Sequence, residues 1–389
     1  MTKHWLINGD SREVLKKIKD NSIHLAVTSP PYFNAREYSQ WKTLEDYLKD
    51  MRTVFEQVFR VLDNHRIFAL NVGDVQCKLG KQPWTMRRVP LGALFTVMCQ
   101  EIGFEFVDDY IWDKGEPQSY RHINGGNNYP YYIYPVNVYE HILIFHKHVR
   151  DMTRIPCPVC GTTEVQNNSQ SEINVQSWEC NNEECNHRSP GNRGKRYSAR
   201  SIMMDLGKTE ENEIEKSLIQ KFRRDIVEFS PVIKWHNGNN IHGHTAPFPK
   251  DIPEMAINFY TYKGDTVLDP FAGSFTTTLS AIKLGRNSVG VDLSKEYVDL
   301  GIKRIKDQNS QQTFLEEDYE LNVSEEKDIL KTDLIVIPKS KIWSQEVYIK
   351  KSVEKNNGEM LVVRETIEEY SHSTNRKLNK KKKQSKKKK

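Results

Sequence analysis

The segment IHLAV, Ile23–Val27, runs straight into Thr28-Ser29-Pro30-Pro31-Tyr32. The first five residues read as a buried strand. Neither proline can donate to a sheet ladder, so the chain must leave the sheet there. Apolar runs recur at Trp5–Ile7 and Ile67–Val72, with amphipathic stretches at Ser11–Lys19 and Thr43–Leu62. Ser11 is placed to cap the first helix, ahead of Val14 and Leu15. Phe104–Trp112 and Val138–Phe145 are again strand-like. This rhythm predicts an α/β domain with a largely parallel sheet. The proline pair then sits at the carboxyl end of a parallel strand, the edge where open α/β sheets bind ligands.

That placement suits one chemical task. An exocyclic amine on a base is a poor nucleophile, because its lone pair is delocalised into the ring. Two acceptors set tetrahedrally about the nitrogen favour the pyramidal, reactive form. Ser29 Oγ supplies one, and the Pro30 carbonyl, with no helix or ladder partner, supplies the other. Tyr32 offers a face on which a flipped-out base stacks.

The rhythm returns late in the chain. Helices are expected over Pro253–Tyr262, Thr276–Leu284 and Lys295–Asp307, the last capped by Ser294, with strands at Thr266–Leu268 and Ser288–Val291. Asp269-Pro270-Phe271-Ala272-Gly273-Ser274 lies between strand and helix, a tight turn of small residues whose N–H groups approach a ligand closely. A carboxylate at Asp269 suits an amine-bearing ligand. Asp292, at the tip of the following strand, stands where nucleotide-binding folds place an acid for ribose hydroxyls.

Between these halves, residues 151–235 break the pattern and read as an insertion. Cys157 and Cys160, then Cys180 and Cys185, have the spacing of a closed four-thiolate zinc site that folds a module lacking a core of its own. His187 is an alternative fourth ligand. Cys77 and Cys99 read as buried apolar residues. Arg188, Arg193, Lys195, Arg196 and Arg200 follow with no acid before Asp205 and with Tyr197 interleaved, a run suited to a phosphate backbone. The net charge of +5 is uneven: ten of the 57 basic residues and none of the 52 acidic ones fall in residues 376–389, a disordered tail. No run is long and apolar enough for a membrane span, and no export signal precedes the fold, which makes the cytoplasm the expected compartment.

In their order, these motifs resemble the amino-methylating DNA methyltransferases of the permuted β class. TSPPY resembles that family's catalytic motif and DPFAGS its S-adenosylmethionine motif, with a target-recognition region between them. Asn8-Gly9-Asp10 resembles the segment whose acid binds the cofactor's adenine amine. His244-Thr245-Ala246-Pro247-Phe248-Pro249 resembles the stretch leading to the methionine end. The resemblance implies a Rossmann-like fold with a mixed, mostly parallel sheet and an inserted zinc-ribbon-like recognition module. It divides the chain into a catalytic half (1–150), the insertion (151–235), a cofactor-binding half (236–310), an extension (311–375) and the tail (376–389). The extension carries two β-rich pieces, LIVIP and MLVV. Ser29, Pro30, Pro31 and Tyr32 become the expected catalytic residues, and Asp10, Thr28, Asp269, Phe271, Gly273 and Asp292 the cofactor-binding ones. Duplex DNA, a cognate restriction endonuclease and a second copy of the chain are the implied partners.

Phe275 departs from the family pattern, which has glycine there; Phe does not easily adopt φ > 0, so the turn is expected to differ. Family usage of serine before PPY favours cytosine N4 over adenine N6. Cytosine-C5 chemistry is disfavoured, because no cysteine lies near PPY. Action on RNA or a protein amide, and a catalytically silent DNA-binding homologue, are the competing readings.

Overall fold

In a computed structural model of the chain, the residues described are 1–35, 40–78, 86–115, 137–171, 175–185, 196–229, 235–236, 239–240, 249–311, 319–331 and 335–355. The chain divides into two compact units. The first is Met1–Lys147 with Ile214–Lys339; the second is His148–Glu213 with Ser340–Lys389, of which residues 340–355 are described. The break in rhythm thus ends earlier than the expected boundary at 235, because Ile226–Glu228 returns to the main sheet beside Ile111–Asp113.

The first unit is built on nine strands: β1 (Thr2–Asn8), β2 (Ile23–Thr28), β3 (Leu62–Val72), β4 (Phe104–Asp113), β5 (Tyr139–Lys147), β6 (Ile226–Glu228), β7 (Thr266–Asp269), β8 (Asn287–Asp292) and β9 (Tyr319–Glu325). Their order is β6-β4-β5-β3-β2-β7-β8-β1-β9. Every neighbouring pair is parallel except the two made by β5. The carboxyl ends of the parallel strands therefore share one edge, and the amino end of β5 joins them there.

Helices cover both faces. All six residues of β2 are buried, as a central parallel strand requires. Along β3, Phe68, Leu70 and Val72 point into one core, and Ile67 and Ala69 into the other. The first core is closed by the helix Leu44–Val61. Thr43 caps it by accepting from Asp46 N, and Tyr47, Met51, Val54, Phe55, Val58 and Val61 form its buried stripe. The second core is closed by the helix Asp251–Tyr260, through Ile252, Met255, Ala256 and Ile257.

The first helix differs from expectation. It is a short turn, Ser11–Val14, followed by the 3-10 turn Leu15–Lys17, and its cap is Asp10, not Ser11. Asp10 has the extended backbone of a cap and its carboxylate accepts from Arg12 N, whereas Ser11 is already helical and donates its hydroxyl to the Pro270 carbonyl. LIVIP supplies one bridge, Ile335 to Ile18, and not a strand. The sheet edge is taken instead by β9, which pairs with β1 over its full length. MLVV lies outside the described residues, as does the tail. Cys99 is buried as expected, while Cys77 is only half-buried.

The second unit holds a hairpin, Val165–Gln170 with Gln176–Cys180, and the helices Ala199–Leu206 and Gln345–Lys355. Tyr197, expected among the basic residues, is buried instead, with its hydroxyl on the Ile155 carbonyl at 2.9 Å. No helix among the described residues is long and apolar enough to cross a membrane.

Candidate active site

The carboxyl edge of the first unit opens into a cavity of about 940 Å³. Its walls bring together motifs distant in sequence: Asp10 after β1, Ser29-Pro30-Pro31-Tyr32 after β2, Phe271 and Gly273 after β7, and Asp292 at the end of β8. Eight of the ten expected catalytic and cofactor-binding residues line this one space.

The other two, Thr28 and Asp269, lie beneath it, 0% and 1% exposed. The Thr28 hydroxyl donates to Asp269 Oδ1 at 2.6 Å, and Thr277 donates to Oδ2 at 2.6 Å. Phe271 N adds a bond of 3.1 Å to Oδ1. Asp269 thus ties the strand that carries Ser29 to the loop that carries Gly273. Burial pushes its carboxyl up to about 6, against these hydrogen bonds. Asp292 is also pushed up to about 6 by burial, opposed by bonds from Ser294 N and Gly273 N, each at 2.8 Å. Those two bonds fix its orientation toward the cavity.

Burial alone would raise Asp10 too. Hydrogen bonds and charge from Arg12 outweigh it and hold this carboxyl below its usual range. Arg12 bridges Asp10 at 2.6 Å and Asp50 at 2.8 Å. Asp10 N donates to Glu326 Oε2 at 2.6 Å, from the turn that follows β9. Gly9 is needed for this approach, since a Cβ there would lie 2.5 Å from Glu326 Cβ.

Phe275 does adopt the left-handed conformation that its side chain was expected to resist, with φ 60° and ψ 36°. The turn is therefore kept. Its ring is fully buried against Leu6, Leu279, Val298 and Ile305, in space left by Gly290 and Gly301. Core burial over-determines the strained backbone.

At the other end of the cavity, Ser29 Oγ is 3.3 Å from Tyr32 Oη. Among the described residues no hydrogen bond ends on the Pro30 carbonyl, whereas the Pro31 carbonyl accepts from Tyr47 at 3.0 Å. Tyr32 donates to Glu140 Oε2 at 2.8 Å, and Lys114 donates to Glu140 Oε1. Asn71 lines the same end with its Oδ1 unpartnered among the described residues. Glu140, Lys114, Asn71 and Glu326 were not singled out from the sequence; each is one polar residue at the rim of a strand, with no local motif around it.

In the second unit the four sulfurs of Cys157, Cys160, Cys180 and Cys185 lie within 4.8 Å of one another. Gly161, with φ 72°, turns the backbone behind them. Arg196 is exposed and Arg200 half-buried; Arg188, Arg193, Lys195 and His187 lie outside the described residues, as does all of the 244–249 stretch but Pro249.

A mostly parallel sheet flanked by helices, with a polar pocket across the carboxyl ends of β1, β2, β7 and β8, defines a methyltransferase fold. The family model of the N6/N4 DNA methylases matches residues 23–303, and the chain belongs to that family. It is 37% identical over 304 residues to the Type II beta methyltransferase M.BslI of Bacillus sp. (strain NEB-606), covering 77% of this chain but only 27% of that protein. The Type II methyltransferase M.MjaI of Methanocaldococcus jannaschii is 24% identical over 328 residues, covering 76% of this chain and 88% of that protein. Among solved structures, a DNA modification methylase of Thermus thermophilus, TTHA0409, complexed with S-adenosyl-L-methionine, superposes with a TM-score of 0.51 at 25% identity, over 82% of this chain and 99% of that one.

Proposed function

We propose that the protein methylates an exocyclic amine in duplex DNA, the N4 amine of cytosine, as the modification enzyme of a Type II restriction–modification system. The observation that carries this is the pairing, in one cavity, of Ser29 Oγ and the uncommitted Pro30 carbonyl with the loops of Asp10, Gly273 and Asp292. The choice of cytosine over adenine rests on family usage of serine before PPY.

S-Adenosylmethionine, when bound, supplies an electrophilic sulfonium methyl. Asp292 is oriented to accept from ribose hydroxyls, and Asp10 and the Phe271–Gly273 loop form the rest of its seat. Thr28 and Asp269 hold that seat against the strand of Ser29. Ser29 Oγ and the Pro30 carbonyl accept from the target amine and hold it pyramidal, while Tyr32 stacks on the base. Positioning accounts for most of the acceleration, since no covalent enzyme intermediate is needed.

The Cys157, Cys160, Cys180 and Cys185 donor set fits a structural zinc. A Zn–S length of about 2.3 Å gives a tetrahedral sulfur–sulfur edge of about 3.8 Å. The Cys157–Cys185 and Cys160–Cys180 separations are 3.8 and 3.6 Å, far too long for a disulfide. This module, with Arg196 and Arg200, is the proposed target-recognition region.

The test is Ser29→Ala. Turnover should fall about a hundredfold or more, with S-adenosylmethionine binding by calorimetry unchanged. Near-normal methylation would refute the role of Ser29.

A further inference from the structure

An amine that has formed a bond to a methyl carbon carries one proton too many. Ser29 cannot keep it, because a protonated hydroxyl is far too acidic. The hydrogen bonds lead onward. Ser29 Oγ meets Tyr32 Oη at 3.3 Å, and Tyr32 donates to Glu140 Oε2 at 2.8 Å. Glu140 comes from the amino end of β5, the one strand antiparallel to its neighbours, which is why it reaches this edge at all. Its side chain is 11% exposed and held from the far side by Lys114, itself 29% exposed and stacked over Trp112 at 5.2 Å. Gly73 makes the meeting possible, as a Cβ there would lie 3.0 Å from Glu140 Cγ and 3.2 Å from Tyr32 Cε2.

We propose that Glu140 is the terminal acceptor of the proton released by the target amine, reached through Tyr32 and Ser29. The nitrogen lone pair forms the bond to the methyl carbon while the carbon–sulfur bond breaks and its electrons stay on sulfur. The amine proton passes to Ser29 Oγ, the Ser29 proton to Tyr32 Oη, and the Tyr32 proton to Glu140 Oε2. Both hydroxyls end neutral, and Glu140 ends protonated until water takes the proton. Tyr32 acts by giving one proton as it takes another; burial and then the Glu140 charge hold it well above its ordinary pKa, so it does not ionise. Glu140 touches neither substrate nor cofactor and is a positioning residue acting through Tyr32. The charged groups around it are Lys114, Asp74 and His141, the last paired with Asp109 at 2.8 Å.

This inference rests on the amine-methylation reading, and the experiment separates the two. Single-turnover methylation of duplex DNA by the full-length protein is compared with that of Glu140→Gln and Tyr32→Phe across pH. Difference infrared spectroscopy follows the carboxyl bands. Glu140→Gln keeps an acceptor for Tyr32 but cannot take the proton. It should slow the methyl-transfer step about a hundredfold, abolish the acid limb of the profile, and leave DNA and S-adenosylmethionine dissociation constants unchanged. The parent should show a transient protonated-carboxyl band that Glu140→Gln and Tyr32→Phe lack. An active parent with Glu140→Gln at the parent rate and profile overturns the relay alone. Rate and binding lost together, with no carboxyl band in the parent, also overturn it. A parent that methylates no DNA overturns the amine-methylation reading and the relay with it.

Discussion

Phe275 and Gly290 share one volume: a Cβ built on Gly290 would lie 2.7 Å from the Phe275 Cε1. Gly301 stands on the other side, where a Cβ would be 2.5 Å from Cδ2. The left-handed backbone at Phe275 costs about 1–3 kcal/mol, and loss of a buried Phe ring costs about 3–5 kcal/mol. Phe275→Gly should therefore lower stability by a net ~2 kcal/mol, although it restores the residue the family pattern expects. Gly290→Ala should also destabilise, by collision with the ring. Thermal melts check both, and a raised Tm for Phe275→Gly would show that the strain dominates.

Asp269 and Asp292 give the stability a defined pH dependence. Both are pushed up to about 6 by burial, so the folded protein holds these protons more tightly than the unfolded chain. Their stabilising contribution is complete below about pH 4 and is lost as pH rises through about 6. Asp269→Asn should gain on the parent over that window, by an amount on the order of 2–3 kcal/mol. A stability difference that stays constant from pH 4 to 7 would contradict the assignment.

Glu326 makes the extension part of the cofactor seat, through its 2.6 Å bond from Asp10 N. Glu326→Ala should weaken S-adenosylmethionine binding about fivefold to tenfold, as expected for loss of one charge-assisted bond, with the fold intact by circular dichroism. Glu326→Gln keeps the acceptor and should restore most of the affinity. Equal affinity in all three proteins would remove Glu326 from the site.

Zinc is expected at one ion per chain by elemental analysis. Cys157→Ser should abolish it, and chelation should make residues 148–213 sensitive to protease while the first unit stays resistant. Metal-free protein with an unchanged digestion pattern would contradict the zinc assignment.

The residues that were legible in the sequence are those whose local chemistry dictates structure. Two prolines force the end of β2, so Ser29 had to stand at its carboxyl edge. Asp292 followed from strand length alone. Glu140 was not legible, because Tyr32 lies 108 residues away and only the reversal of β5 brings them together. Phe275 was visible as an oddity, but Gly290 and Gly301, which accommodate it, are ordinary glycines until the fold sets them opposite. The strand β9 was missed for a similar reason: YELNVSE is half-exposed at a sheet edge, while the more apolar LIVIP has only Ile18 to pair with.

The most direct test is nucleoside analysis, by mass spectrometry, of duplex DNA incubated with the protein and methyl-labelled S-adenosylmethionine. The account predicts label in N4-methylcytosine, lost in Ser29→Ala. Label in N6-methyladenine would keep the amine chemistry and overturn the choice of base. Label in 5-methylcytosine, or none in DNA while RNA or protein is labelled, would contradict the central claim.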